Sequence, residues 1–295
     1  MIRTGIRIVL LLILQCLWLG QSFAAAPVEA QFTEELSKQD QIYKSRGEQR
    51  PDGYVIDRSL LSYIYTLPPG FGRALAMLGA KDRWLDIGAG RGQAVLDYFA
   101  GKTDAMNADL PVRVEDKAQV VAISIEDRRT PLWQQAASIL PSDQMSYLFG
   151  RPLREYSPQE LGRFQVITDV IGGFSYSLNI SLFMEKVLGI LDLNGDFYTL
   201  LQDVHAGDGT NKPYYAGAPY LTAMSNADGA ELKVCSWLKS ISCVEVTCEL
   251  RTDWKPYIEK YHIRKICNEI KVPALASMHF EAGTPPERKF QVEKK

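Results

Sequence analysis

The chain has 295 residues, 46% hydrophobic and 23% charged, with a formal net charge of −2. That length fits one large α/β domain with additions or two small domains, and the composition is that of an ordinary globular protein, not a disordered or fibrous one. The near-neutral balance gives no broad basic face for nucleic acid, so no nucleic-acid partner is expected.

Residues 1–24 read as a segment apart from the fold. Two arginines and no acid lie in Met1–Arg7, Ile8–Leu19 is almost wholly apolar, and Gln21–Ala26 is rich in small residues. This is the pattern of a secretory signal peptide cut after Ala24, with Ser22 and Ala24 at the small-residue positions. An uncleaved anchor is the alternative, although the apolar run is short for a membrane span. Cys16 follows Gln15, where a lipoprotein cysteine would follow a small residue.

Residues 25–79 are expected to form an N-terminal helical extension. Phe32, Leu36 and Tyr43 fall at roughly helical spacing, and Pro51-Asp52-Gly53 makes a turn. Arg58–Thr66 reads as a helix stopped by Pro68-Pro69-Gly70, and Phe71–Leu78 as another ended by Gly79. No compositional break follows, so the extension is expected to pack near the site that comes next.

That site is Arg83–Leu96. Trp84, Leu85 and Ile87 form a short apolar strand, Gly88, Gly90 and Gly92 a turn, and Ala94, Val95, Leu96 and Tyr98 the start of a helix. A glycine turn lets backbone approach a ligand closely, and a helix N-terminus favours negative charge. The dinucleotide fingerprint Gly-x-Gly-x-x-Gly is not met, because the third glycine comes one residue early and Gln93 stands in its place. A P-loop is absent as well.

What remains, Asp-x-Gly-x-Gly-x-Gly with Asp86 at the strand end, resembles motif I of the class I S-adenosylmethionine-dependent methyltransferases. The resemblance implies that Gly88, Gly90 and Gly92 hold the methionine part of the cofactor and that Asp86 helps hold its amino group. A turn serving only tight strand–helix packing is the competing reading.

Gln119–Ile125 reads as a buried second strand. In the family an acid near the end of this strand bonds the ribose. Here Ser124 takes the expected place, and Glu126 and Asp127 follow. Either Glu126 takes the role or ribose recognition differs. Trp133–Leu140 is expected to be helical and Ser146–Phe149 a third strand. Ser157 and Glu160 form a capping-box pattern at a helix start.

Phe164–Val170 is the next strong strand, followed by Ile171-Gly172-Gly173-Phe174-Ser175-Tyr176-Ser177. This resembles the family's motif IV, a strand ending in an acid, Asp169, before an aromatic loop over the cofactor. It implies cofactor contacts from Asp169 and stacking by Phe174 or Tyr176; a helix-capping role for Asp169 is the alternative. Leu182–Leu191 reads as a helix, and Leu193-Asn194-Gly195-Asp196 as a turn into strand Phe197–Leu201. The resemblance covers about residues 80–205. It implies a Rossmann-like seven-stranded methyltransferase sheet over residues 80–295, mostly parallel, with helices on both faces and an antiparallel last strand.

Past strand five lie Asp203 and His205. Residues 207–227 read as a loop, Glu231–Leu238 as a helix, Cys243–Leu250 as strand six, Ile258–Ile270 as a helix, and 273–292 as the closing strand region. Cys235, Cys243, Cys248 and Cys267 permit two disulfides in an exported protein. Cys248 also fits a small buried hydrophobe, alternating with Val244, Val246 and Leu250. Their spacing matches no zinc site, and no metal is expected.

Methyl transfer is an in-line displacement in which the protein mainly positions and desolvates. Asp169, Asp203 and His205 are the candidates for acid–base work, if the acceptor must lose a proton. The reading is an exported methyltransferase, periplasmic or secreted, that uses S-adenosyl-L-methionine on a small-molecule or protein acceptor. The alternative is an exported methyltransferase-like binding or structural protein without catalysis.

Overall fold

The computed structural model describes residues 58–101, 117–202, 221–251, 258–276, 278–281 and 287–294. Its organising element is a seven-stranded sheet in the order β3-β2-β1-β4-β5-β9-β8. The strands are β1 (Arg83–Ile87), β2 (Gln119–Ile123), β3 (Met145–Leu148), β4 (Phe164–Asp169), β5 (Leu191–Gln202), β8 (Val244–Arg251) and β9 (Ile258–Lys265). Strands β1 to β5 are mutually parallel, and β9 runs antiparallel between β5 and β8. This is the mostly parallel α/β sheet with an antiparallel late strand expected from the sequence.

The central strands are short apolar runs buried on both faces, as parallel strands covered by helices must be. Alternation divides them between two cores. Leu85, Ile87, Val121, Ile123, Phe164 and Ile167 face one side with helix α7 (Ile180–Ile190). Trp84, Val120, Ala122 and Val166 face the other, with α1 (Leu60–Thr66), α2 (Phe71–Ala76) and α3 (Gln93–Ala100). Helix α4 (Pro131–Ile139) joins this second core through Trp133. The capping box at Ser157 and Glu160 forms as read and starts the short α5 (Pro158–Leu161).

The C-terminal third departs from the sequence reading. Ile258–Ile270 is not a helix: Ile258–Lys265 is β9, and it supplies the antiparallel strand that had been expected from 273–292. The strand pattern is hidden because two of its polar residues, Lys260 and Lys265, are buried. Glu231–Leu238 splits into β7 (Glu231–Leu232) and α8 (Val234–Lys239). Residues 221–225, read as loop, form β6 (Leu221–Ser225). Strands β6, β7, β10 (His279–Glu281) and β11 (Glu287–Gln291) build a second sheet, in the order β10-β11-β6-β7. It places Met224 and Phe290 in the first core.

Among the described residues, four buried cations cap helix C-termini, where orphan carbonyls and the helix dipole favour positive charge. Lys260 Nζ donates to the carbonyls of Tyr65 and Leu67 (3.2 Å each) at the end of α1. Lys117 Nζ donates to Phe99 O (2.9 Å) and Tyr98 O in α3, and Lys265 Nζ to Leu188 O and Leu191 O (2.9 Å each) at the end of α7. Arg288 on β11 reaches Ser175 O and, at 3.3 Å, Ser177 O, closing the one-turn helix α6 (Gly173–Tyr176). These bonds offset the cost of burying each charge and tie β9 and β11 to helices remote in sequence.

The four cysteines form both of the disulfides they permit. Cys235–Cys248 joins α8 to β8, and Cys243–Cys267 joins the start of β8 to the segment after β9. Cys248 is therefore not the free buried hydrophobe its alternation suggested. Non-reducing peptide mapping is expected to recover these two pairs and no other. Replacing Cys235 and Cys248 together by Ala is expected to cost about 3 kcal/mol by the loop-closure model, read as a lowered midpoint in denaturant titration.

Candidate functional site

In an open α/β sheet the ligand crevice lies at the C-terminal strand ends where the connections diverge. From β1 the chain moves to β2 on one side, and from β4 to β5 on the other, so this point falls between the neighbouring strands β1 and β4. The glycine loop follows β1. The loop Val170–Gly172 follows β4.

The two loops meet backbone to backbone. A Cβ on Gly88 would lie 2.8 Å from Gly172 Cα, and one on Gly172 would lie 2.8 Å from Ile87 O and 3.2 Å from Gly88 Cα. Gly88 also has φ +72°, and Ile171, a β-branched residue, is held at φ +57°. Such conformations persist only where surrounding contacts hold them.

Other contacts back the loop from the β2–β3 side. Gly88 N–H and Ala89 N–H donate to Ile123 O at 2.9 and 3.1 Å, and Gly92 N–H to Ala89 O at 2.9 Å. The Tyr147 hydroxyl donates to Gly90 O (2.6 Å). Trp133 fills the space behind Gly92, whose Cβ would lie 2.4 Å from the indole. Gly88 and Arg91 stay exposed, Gly90 half-buried. Packing therefore explains Gly92 against Trp133 and Gly88 against Gly172, although the Gly88 backbone itself stays exposed.

Asp86 is wholly buried at the end of β1. Its Oδ1 accepts from Thr168 Oγ1 (2.8 Å) and its Oδ2 from the Tyr63 hydroxyl (3.2 Å). Thr168 Oγ1 in turn accepts from Trp84 Nε1 (2.8 Å). Burial pushes the Asp86 carboxyl up to about 7, against the two hydroxyl donors.

Asp169 is equally buried, but on the other face of the sheet: it is in register with Ile87, whereas Asp86 is in register with Thr168. It acts as the cap considered from the sequence. Oδ1 accepts from Gly172 N (2.7 Å) and Oδ2 from Phe174 N (2.8 Å), closing the start of α6. Burial pushes its carboxyl up to about 7 as well. Phe174 is buried in the first core, its ring 6.0 Å from that of Phe183 and 5.8 Å from that of Tyr261, and is not placed over the glycine loop. Glu126 lies beyond the end of β2, partly exposed and ion-paired with Arg128. Asp203 and His205 lie outside the described residues.

The structure thus brings Asp86 and the glycine loop to the switch point, with Asp169 beside them across the sheet. Sequence reasoning missed Tyr63, Thr168, Trp133, Tyr147 and Gly172. The paired Gly172-Gly173 directly after a strand is a signal of close backbone approach that was there to be read.

No family model matches the chain, and no curated protein matches it. Among solved structures it is similar to an rRNA methylase from Streptococcus thermophilus, at 12% identity, covering 66% of this chain and 94% of that one, with a TM-score of 0.40. The N-methyltransferase NodS from Bradyrhizobium japonicum WM9 matches at 14% identity, covering 65% and 90%, with a TM-score of 0.38. The CMeT domain of a citrinin polyketide synthase matches at 14%, covering 64% and 47%, with a TM-score of 0.39. The sheet order itself defines the class: a Rossmann-like, seven-stranded α/β protein with a glycine loop at its switch point.

A carboxyl raised by burial favours the folded state while protonated. Its contribution is complete below the unfolded-state value near 3.8 and is lost as pH rises toward about 7. The melting temperature of the wild type minus that of Asp86→Asn is therefore expected to fall between pH 4 and 7 and to level off above; a difference that rises over this window contradicts the assignment.

Proposed function

We propose that the protein is an S-adenosylmethionine-dependent methyltransferase. The observation that carries the reading is Gly88: exposed backbone at positive φ, one residue past the end of β1, at the switch point of this sheet. A side chain there would collide with the Gly172 backbone of the β4 loop. The methionine end of the cofactor fits Gly88, Gly90 and the backbone before Arg91. The ribose end fits less well, because Ser124 stands where an acid is expected and Glu126 is engaged by Arg128. When bound, the cofactor supplies the methyl group, and the loops of β1 and β4 position it and exclude water. Asp203 and His205 remain our candidates for handling an acceptor proton, and the acceptor is a small molecule or a protein.

We further infer export. Residues 1–24 have the signal-peptide pattern, and two disulfides suit an oxidising compartment, periplasmic or extracellular.

A second reading, a methyltransferase-like fold kept for binding or structure, is favoured by one observation. Both oxygens of Asp86 and of Asp169 already accept protein donors. Calorimetric titration of the protein lacking residues 1–24 separates the two. S-adenosylhomocysteine is expected to bind with a Kd below about 100 µM, some 5 kcal/mol or more of binding free energy. No heat at millimolar ligand removes the enzyme reading.

A further inference from the structure

Among the described residues the two sheets end in the edge strands β3, β8, β10 and β7. Three of these are blunted by length: β3 has four residues, β10 three and β7 two. Edges so short offer little to an incoming strand. β8 is different. It has eight residues, contains neither Pro nor Lys, and pairs with β9 in an unbroken register. Proline, lysine, bulges and shortness are the usual protections of a sheet edge, and β8 has none of them.

The groups this edge presents follow from its ladder. Ile266 N–H donates to Cys243 O (2.9 Å), so these two residues form a hydrogen-bonded pair. Such pairs alternate along antiparallel strands. Glu245, Thr247, Glu249 and Arg251 therefore turn their main-chain groups to β9. Val244, Val246, Cys248 and Leu250 turn theirs away from the sheet. Ser242 has the same parity, and its N–H does leave the sheet, for Lys271 O (3.1 Å). Past Ser242, among the described residues, no strand lies on that side. Both disulfides stiffen the edge, Cys243–Cys267 at its start and Cys235–Cys248 in its middle.

We propose that β8 is the contact edge of a homodimer, pairing antiparallel with β8 of a second copy about a twofold axis at Cys248. In a twofold interface every contact occurs twice. Outward main-chain groups must meet outward groups, and the two registers that then overlap nearly the whole strand are centred on Thr247 and on Cys248. Charge decides between them. Centring on Thr247 sets Glu245 opposite the partner's Glu249, and like charges directly opposed destabilise a pair. Centring on Cys248 sets Glu245 opposite the partner's Arg251 and Thr247 opposite the partner's Glu249. On the other face it sets Leu250, 42% exposed in the single chain, against the partner's Val246. The strand complements itself, which selects a second copy over a foreign strand. β5 and β9 separate this edge from the crevice of β1 and β4, so the dimer is independent of the methyltransferase reading.

The test is sedimentation velocity on the protein lacking residues 1–24, as wild type, Glu245→Arg, Arg251→Glu and an equimolar mixture of the two variants. The wild type is expected to be dimeric at about 100 µM, as suits an interface of modest area. Each single variant opposes like charges twice across the axis, and its dimer is expected to weaken about tenfold. In the mixture the Glu245→Arg chain meets the Arg251→Glu chain with both pairs opposite in sign, so a heterodimer as strong as the wild-type dimer is expected. Melting temperatures check that both variants fold. A wild type that stays monomeric at that concentration, single variants that dimerise as well as the wild type, or a mixture that associates no better than its components overturns the proposal.

Discussion

The site depends on one contact, the meeting of Gly88 and Gly172. The chain leaves β1 and β4 in opposite directions at adjacent strand ends, which opens a crevice in any sheet of this topology. Here the two backbones meet so closely that a methyl group on Gly88 would collide with Gly172 Cα, and one on Gly172 with Ile87 O. Everything else is arranged around that contact. Asp169 turns the β4 loop by gathering the N–H groups of Gly172 and Phe174, and Ile123 O holds the glycine loop by its first two N–H groups. Trp133 and Tyr147 hold its far side.

The same constraint explains why the two acids do different things. Strand alternation sends Asp86 toward α1 and Asp169 toward α6, although both sit at the same level of the sheet. Residues gathered at the ends of parallel strands share a region but not a face. The sequence reading gave both acids a contact to one cofactor because it used strand order without register. A one-residue difference in pairing decides which side of the sheet a carboxyl serves.

Much of the fold was legible. Short apolar runs bounded by turns located β1 to β5, and the capping box at Ser157 fixed a helix start to the residue. Legibility failed where buried polar groups imitate a solvated face. In β9, Lys260 and Lys265 look like exposed helix positions, but each inserts into the protein to cap a helix from another part of the chain. The second sheet was hidden for a related reason: Arg288, buried in β11, reaches α6 and Thr222 on β6, a partnership between residues over sixty positions apart. Long-range hydrogen bonds of this kind leave no local period. In the site, the glycines were readable from type and spacing, whereas the residues around them and around Asp86 (Trp133 and Tyr147 behind the glycines, Tyr63 and Thr168 on Asp86) carry no motif.

The most direct test of the central claim is a crystal structure of the protein grown with S-adenosylhomocysteine. The account predicts ligand density beside Gly88 with the amino-acid end directed at Asp86. A crevice between the β1 and β4 loops that stays filled only by water at saturating ligand, or ligand seated elsewhere on the sheet, would contradict it.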